Sequence, residues 1–375
     1  MNKLLLTYTF ILLSSFVLAQ DAAFSQFYAN KTYLNPGFVG SQPGITLSTA
    51  YRTQWNYVPG GFTTYSVTAD IQEPFLSSGF GVIATKDTEG EGFLTTTSFG
   101  LVYGYIIRLG RKSNIHIGLQ TNFYQKTVDW SKFTFSDQLH PVLGSIYATT
   151  AAPILDSKTY ADFDAGIVWR SEGRFRRTKT HNNIGFAVHH LNEPNESLQG
   201  HFDPDAVVPR RYTFHAGTMF EIVKFNDAQK RILYLSPNFK FDWQQDIKIT
   251  TWGVYSISNP LYAGIFFQNK TGLIDFNSPL QNTNSIILTG GFEGRLNEDT
   301  KYTFGYSYDL NTTGLGPRTN GVHEVTLMVN FEKASLFGAP NDGRSGKRWR
   351  GGKNRRGRNS MECYRFSGAN SISIF

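Results

Sequence analysis

Over long stretches of this chain every second residue is large and apolar. Phe99, Leu101, Tyr103, Tyr105 and Ile107 form one such run, with Gly100 and Gly104 between them. Ile115, Ile117 and Leu119 alternate with His116, Gly118 and Gln120. Ala161, Phe163, Ala165, Ile167 and Trp169 alternate with Asp162, Asp164 and Gly166, and Tyr302, Phe304, Tyr306 and Tyr308 with Thr303, Gly305, Ser307 and Asp309. A strand sends successive side chains to opposite faces, so each run has one face for an apolar medium and one for water. Fourteen such segments are predicted, at 44–56, 61–72, 78–88, 93–109, 113–127, 159–171, 181–191, 209–223, 230–243, 246–258, 260–269, 284–296, 300–311 and 321–332.

Many of these segments have the roughly 9–11 residues with which a tilted strand crosses a bilayer. An even number of them suits an antiparallel barrel, which must close because no unpaired edge can face lipid. The predicted fold is therefore all-β: a transmembrane antiparallel barrel of about 14 strands, of the bacterial outer-membrane type. Loop lengths agree. The connections 128–158, 192–208, 270–283 and 312–320 all fall at one end, while 110–112 and 297–299 are short turns at the other. The basic stretch 172–180 is a medium-length exception at the short-turn end. Long outer loops and short periplasmic turns are the expected asymmetry, and a soluble sandwich would not show it.

Composition fits that reading. Aromatic residues make up 15% and charged residues 17%, against a usual charged share of about 25%. The net charge of +7 is uneven: nine Lys/Arg and two Asp/Glu lie from Phe337 onward, leaving 27 of each before it. The Gly- and Arg-rich stretch from Asn341 to Arg358 cannot bury enough apolar surface to order itself. At the other end, Lys3, an apolar run from Leu4 to Val17 and Ala19 read as an export signal cleaved after Ala19. The expected organisation is a signal peptide (1–19), an N-terminal periplasmic or plug segment (20–43), the barrel (44–332) and a basic tail (333–375), with both termini periplasmic. Cys363 is the single cysteine, which excludes an internal disulfide.

Residues 20–40 read QDAAFSQFYANKTYLNPGFVG, which resembles the opening of the PorP/SprF family of type IX secretion outer-membrane proteins. Three shorter matches follow in order. Tyr51-Arg52-Thr53-Gln54-Trp55 resembles the family's Y-R-x-Q-W, Tyr306-Ser307-Tyr308-Asp309 its Y-S-Y-D, and Gly321-Val322-His323-Glu324-Val325 its final-strand G-S-H-E-I/V. The end departs from the pattern: Cys363-Tyr364-Arg365-Phe366 lacks the proline of C-P-x-F, and the chain continues to Phe375. The resemblance implies a non-enzymatic component of the type IX secretion and gliding machinery without cofactors. An SprF-like member would support export or surface anchoring of one large secreted adhesin. A PorP-like member would instead be linked to periplasmic machinery through a peptidoglycan-linked partner.

The residues singled out for the family motif or for partner contact are Phe24, Ser25, Gln26, Phe27, Tyr28, Tyr33, Leu34, Asn35, Pro36, Tyr51, Arg52, Gln54, Trp55, His323 and Glu324. Asn35-Pro36-Gly37 is a turn signal, and the segment 24–40 is expected inside the barrel, as a plug or as packing. Trp55, Tyr57 and Trp130 suit an interface belt. His116, Gln120, Asn122, Asp162, Asp164, Lys301 and Asp309 fall on the inward phase. There they line a selective channel or form a self-satisfied polar network. His189-His190 with Glu193, and Asp203 with Asp205, are the residues nearest to metal chemistry. Adjacent strand positions point to opposite faces, so the two histidines are not expected to chelate together. No G-x-S-x-G elbow or phosphate loop is present, and export leaves the basic tail, with Trp349, no nucleic-acid partner. Membrane lipids are the remaining expected contact, and a passive channel the alternative function.

Overall fold

The computed structural model describes residues 21–57, 60–90, 94–110, 112–140, 142–147, 149, 155–176, 178–224, 232–270, 285–312 and 320–335. The expected signal peptide, nearly all of the basic tail, Trp349 and Cys363 lie outside them. The strands are β1 (Ile45–Gln54), β2 (Phe62–Glu73), β3 (Ser78–Glu89), β4 (Leu94–Arg108) and β5 (Ser113–Val128), then a two-residue ribbon of β6 (Leu139–His140) and β7 (Gly144–Ser145). After it come β8 (Ser157–Phe175), β9 (Thr178–His189), β10 (Arg211–Lys224), β11 (Ile232–Gln244), β12 (Ile247–Ser258), β13 (Leu261–Asn269), β14 (Ser285–Arg295), β15 (Thr300–Asn311) and β16 (Val322–Phe331).

Fourteen of these strands close into one antiparallel barrel, sealed by β1 against β16 from Ile45↔Phe331 to Gln54↔Val322. Every predicted segment is a barrel strand. Among the described residues no helix is long and apolar enough to cross a membrane, which says nothing about crossing by strands.

The polarity is inside out. Leu101, Phe99, Leu119, Phe163, Trp252 and Ile265 stand exposed on the outer wall, while Thr64, Ser66, Asn122, Asp162, Ser236 and Glu324 are buried within. Such a wall is stable only when its surroundings are hydrocarbon, because water would face an apolar patch far larger than soluble surfaces carry. Alternation thus reports two solvents, lipid outside and a packed polar lumen inside.

One end carries the start of β1, the finish of β16 and the turns 74–77, 109–112, 176–177, 259–260 and 296–299. The opposite end carries the described parts of the connections after β5 and β9, the finishes of β13 and β15, the starts of β14 and β16, and one tight turn at 245–246. These are called the turn end and the loop end below.

Two expectations change. The stretch 172–180 is not a loop: β8 and β9 run on as a ladder through Glu172↔His181 and Arg174↔Lys179 to a two-residue connection. Past the apolar belt both faces of a hairpin meet water, so pairing continues without the alternation that would announce it. Likewise His190 does not face away from His189. β9 ends at His189, and His190 adopts φ 58°, which returns its side chain to the interior.

Candidate functional site

The lumen is filled by the chain's own N-terminal segment. Asp21 lies beside His190 and Arg211 at the loop end. From there the segment descends through one helical turn, Lys31–Leu34, and a tight turn, Pro36–Phe38, to reach β1 at the turn end. The described chain therefore begins near the loop end of the barrel, and only the last residues of this segment reach the turn end. Phe24, Ser25, Gln26, Phe27, Tyr28, Leu34, Asn35 and Pro36 are all buried, and Tyr33 nearly so.

Three sets of contacts hold it. The first joins motifs that lie almost the length of the chain apart. Glu324 accepts the backbone N–H of Ser25 at 2.7 Å and that of Gln26 at 3.1 Å through its two carboxylate oxygens. Gln26 Nε2 donates to the Glu324 carbonyl at 3.2 Å, and Thr326 Oγ1 donates to Gln26 Oε1 at 3.1 Å. Ser25 Oγ donates to Asp309. Arg52, whose Cα lies opposite that of Glu324 across the β1–β16 seam, pairs with the same carboxylate at 3.9 Å. A buried carboxylate is tolerated only when cations and N–H donors surround it. Glu324 has both, and the donors come from the segment it holds.

The second set is a glycine floor. Gly79, Gly104, Gly118 and Gly166 stand opposite one another on β3, β4, β5 and β8. The Asn35-Pro36-Gly37 turn lies on this row: a Cβ at Gly118 would sit 2.2 Å from the Pro36 carbonyl carbon, and one at Gly166 2.0 Å from Asn35 Oδ1. Only glycine lets the two backbones approach so closely. Asn35 also closes its own turn, accepting the Gly37 N–H at 2.8 Å, while its amide donates to the carbonyls of Ile167 and Phe186, each at 3.2 Å. Proline fixes the turn's first φ and asks for no donor partner there.

The third set is aromatic and ionic. Phe27 meets Phe266 edge to face at 5.8 Å, and Phe38 stacks on His215 at 5.1 Å. Tyr28 OH donates to Asn183 Oδ1 at 2.9 Å. Phe24 packs on Tyr33, whose ring lies 5.4 Å beneath the Arg211 guanidinium. Lys31 is buried as well.

The remaining motif residues lie elsewhere. Tyr51 is on the outer wall against Tyr65 at 5.0 Å. Gln54 ends β1. Trp55 turns at φ 62° and packs on Phe62, and Tyr57 and Trp130 also sit at the loop end. His323 faces outward, bonded to Tyr306 OH at 2.8 Å. The inward-phase residues His116, Gln120, Asn122, Asp162, Asp164, Lys301 and Asp309 are all buried. Asp203 accepts the Asp205 N–H at 3.0 Å within a loop. Sequence reasoning passed over Arg211, Thr326, His215 and the alignment of the glycines. Their role depends on cross-strand register, which no local pattern carries.

The family profile described as Type IX secretion system membrane protein PorP/SprF matches residues 17–329, from before the buried segment almost to the end of β16. The chain belongs to the PorP/SprF family. It is an outer-membrane component of type IX secretion, and the four motifs that pointed to PorP/SprF in the sequence meet at one place, since Ser25, Gln26, Arg52, Asp309 and Glu324 form a single latch. No curated protein matches this chain. Among solved structures, CdiB from Acinetobacter baumannii aligns at 8% identity with a TM-score of 0.43, over 76% of this chain and 59% of that one. The β domain of the Bordetella autotransporter BrkA aligns at 8% identity and 0.41, over 77% and 98%. A FadL homologue of Pseudomonas aeruginosa aligns at 12% identity and 0.36, over 77% and 89%. This chain thus spans about three fifths of CdiB's length. At this level of similarity they add nothing on function.

Proposed function

We propose that this PorP/SprF protein is SprF-like: a non-enzymatic, self-sealed barrel that supports export or surface anchoring of one large secreted adhesin. The loop end faces outward, and the start of β1 and the finish of β16 lie on the periplasmic side. The observation that carries the self-sealed part of this reading is the filled lumen. Residues 21–41 are seated there, packed against the wall among the described residues, which counts against an open passive channel. Binding then falls to the ends. The loop end is the broader surface, because it carries the long connections. Val142 is 84% exposed, Leu143 66% and Phe202 68%.

The test is an affinity pull-down of the C-terminally tagged barrel from detergent-solubilised outer membranes, read by mass spectrometry, alongside deletion of the gene. The expected result is one large secreted protein in near-stoichiometric yield, and loss of that protein alone from the surface of the deletion strain. Recovery of periplasmic and peptidoglycan-linked components, with general loss of type IX export, would establish the PorP-like role instead. A barrel that comes down alone would contradict both.

A further inference from the structure

At the loop end of the lumen Asp162, Asp164 and His190 are buried, and each brings one ligand-capable atom within 4.8 Å of the others. Two come from β8 and the third from the residue that follows β9. His190 Nδ1 lies 2.8 Å from Asp162 Oδ2, and the His190 backbone N–H donates to Asp164 Oδ1 at 3.0 Å. On the other side of the ring Nε2 lies 2.9 Å from Asp21 Oδ2. An imidazole with one nitrogen among acceptors and the other held by a carboxylate is the arrangement that orients metal-ligating histidines.

An ion-pair cluster alone leaves groups over. Gln120 Oε1, His189 Nε2 and Asp162 Oδ1 are buried and have no hydrogen-bond partner among the described residues. Gln120 and His189, with Asp164 and His190, line a cavity of about 20 Å3, room for one water molecule or one ion. The charges are unequal as well. Three carboxylates (Asp21, Asp162 and Asp164) face one permanent cation, Arg211, which lies 2.8 Å from Asp21. With the imidazoles neutral, as metal ligation requires, the excess of two negative charges matches one divalent cation, and buried charge left uncompensated is costly.

We propose that Asp162, Asp164 and His190 bind a divalent transition-metal ion at the loop end of the lumen, beside the cavity that His189 and Gln120 line. One imidazole nitrogen with carboxylate oxygens suits zinc or manganese, whereas calcium prefers oxygen alone. Through His190 the ion is tied to Asp21, so it fastens the start of the lumen segment to the wall. This inference stands apart from the adhesin reading: a sealed barrel of either family role has the same cluster.

The test is isothermal titration of Zn2+ into the full-length barrel in detergent after chelator treatment, with folding checked by heat-modifiable gel migration. One equivalent is expected to bind, Co2+ in its place is expected to show visible absorption bands of nitrogen–oxygen ligation, and His201→Gln, in an exposed loop, changes neither. Asp162→Asn and His190→Gln abolish uptake. Should those variants fail to fold, Asp21→Asn decides, because it keeps all three ligands and removes the carboxylate that orients His190 and pairs with Arg211. A folded Asp21→Asn barrel with affinity weakened about 10- to 100-fold supports the site. Unchanged affinity in that variant, or a wild-type barrel that takes up no zinc, overturns it.

Discussion

Replacing Gly118 by leucine is expected to expel the N-terminal segment from the lumen while leaving the barrel closed. Already the first added carbon lies 2.2 Å from the Pro36 carbonyl carbon, a backbone atom that Asn35 holds in place. The two cannot both stay. Overpacking a fixed interior costs roughly 1–3 kcal/mol, and here the softer partner is the segment, since β5 is paired along its length with β4 and β8. Trypsin reads the outcome. Lys31 is buried in the seated segment, so wild-type barrel resists cleavage there and the variant is cut. Gly110, where an added carbon meets nothing within 4 Å, provides the matched control: Gly110→Ala behaves as wild type.

The second large effect is expected at Glu324. Glu324→Ala removes the acceptor of two backbone N–H groups and the partner of Arg52 together. Breaking a buried ion pair from one side costs roughly 3–5 kcal/mol, because the surviving charge stays buried. At about 1.4 kcal/mol per tenfold change, opening of the segment rises a hundredfold or more. Amide hydrogen exchange at residues 24–28 measures it directly. Glu324→Ala with Arg52→Leu is expected to recover part of the loss, since no orphaned charge remains. Equal protection in wild type and Glu324→Ala would show that the latch does not hold the segment.

These effects also mark where the sequence was and was not legible. The fourteen strands could be read because lipid and lumen impose opposite demands on adjacent residues. His116, Asp162, Asp164 and Asp309 were placed inward from that period alone. Where the outer solvent changes, the rule fails: Glu172–Lys179 pairs as a ladder although its residues do not alternate. The latch was visible only as separate motifs. Ser25 and Glu324 are 299 positions apart, and nothing near either residue announces the other. Gly104, Gly118 and Gly166 each stood out as small residues on an inward phase. That they align into a floor follows from the strand register, which sequence spacing does not fix. His190 was misjudged for a local reason: the strand was taken two residues too far, to 191 where it ends at His189, and the left-handed φ of His190 reverses its facing.

In the family motifs, Ser25, Gln26, Arg52 and Glu324 hold the chain to itself. Under the proposed function, partner contact falls to the ends of the barrel and the segment keeps the lumen closed. Planar-bilayer recording tests that claim most directly, comparing the intact barrel with a variant lacking residues 21–41. The account predicts no steady conductance from the intact protein and stable stepwise openings from the deletion, because a lumen emptied of its segment is lined by polar side chains. Steady conductance of the same size from both would contradict it.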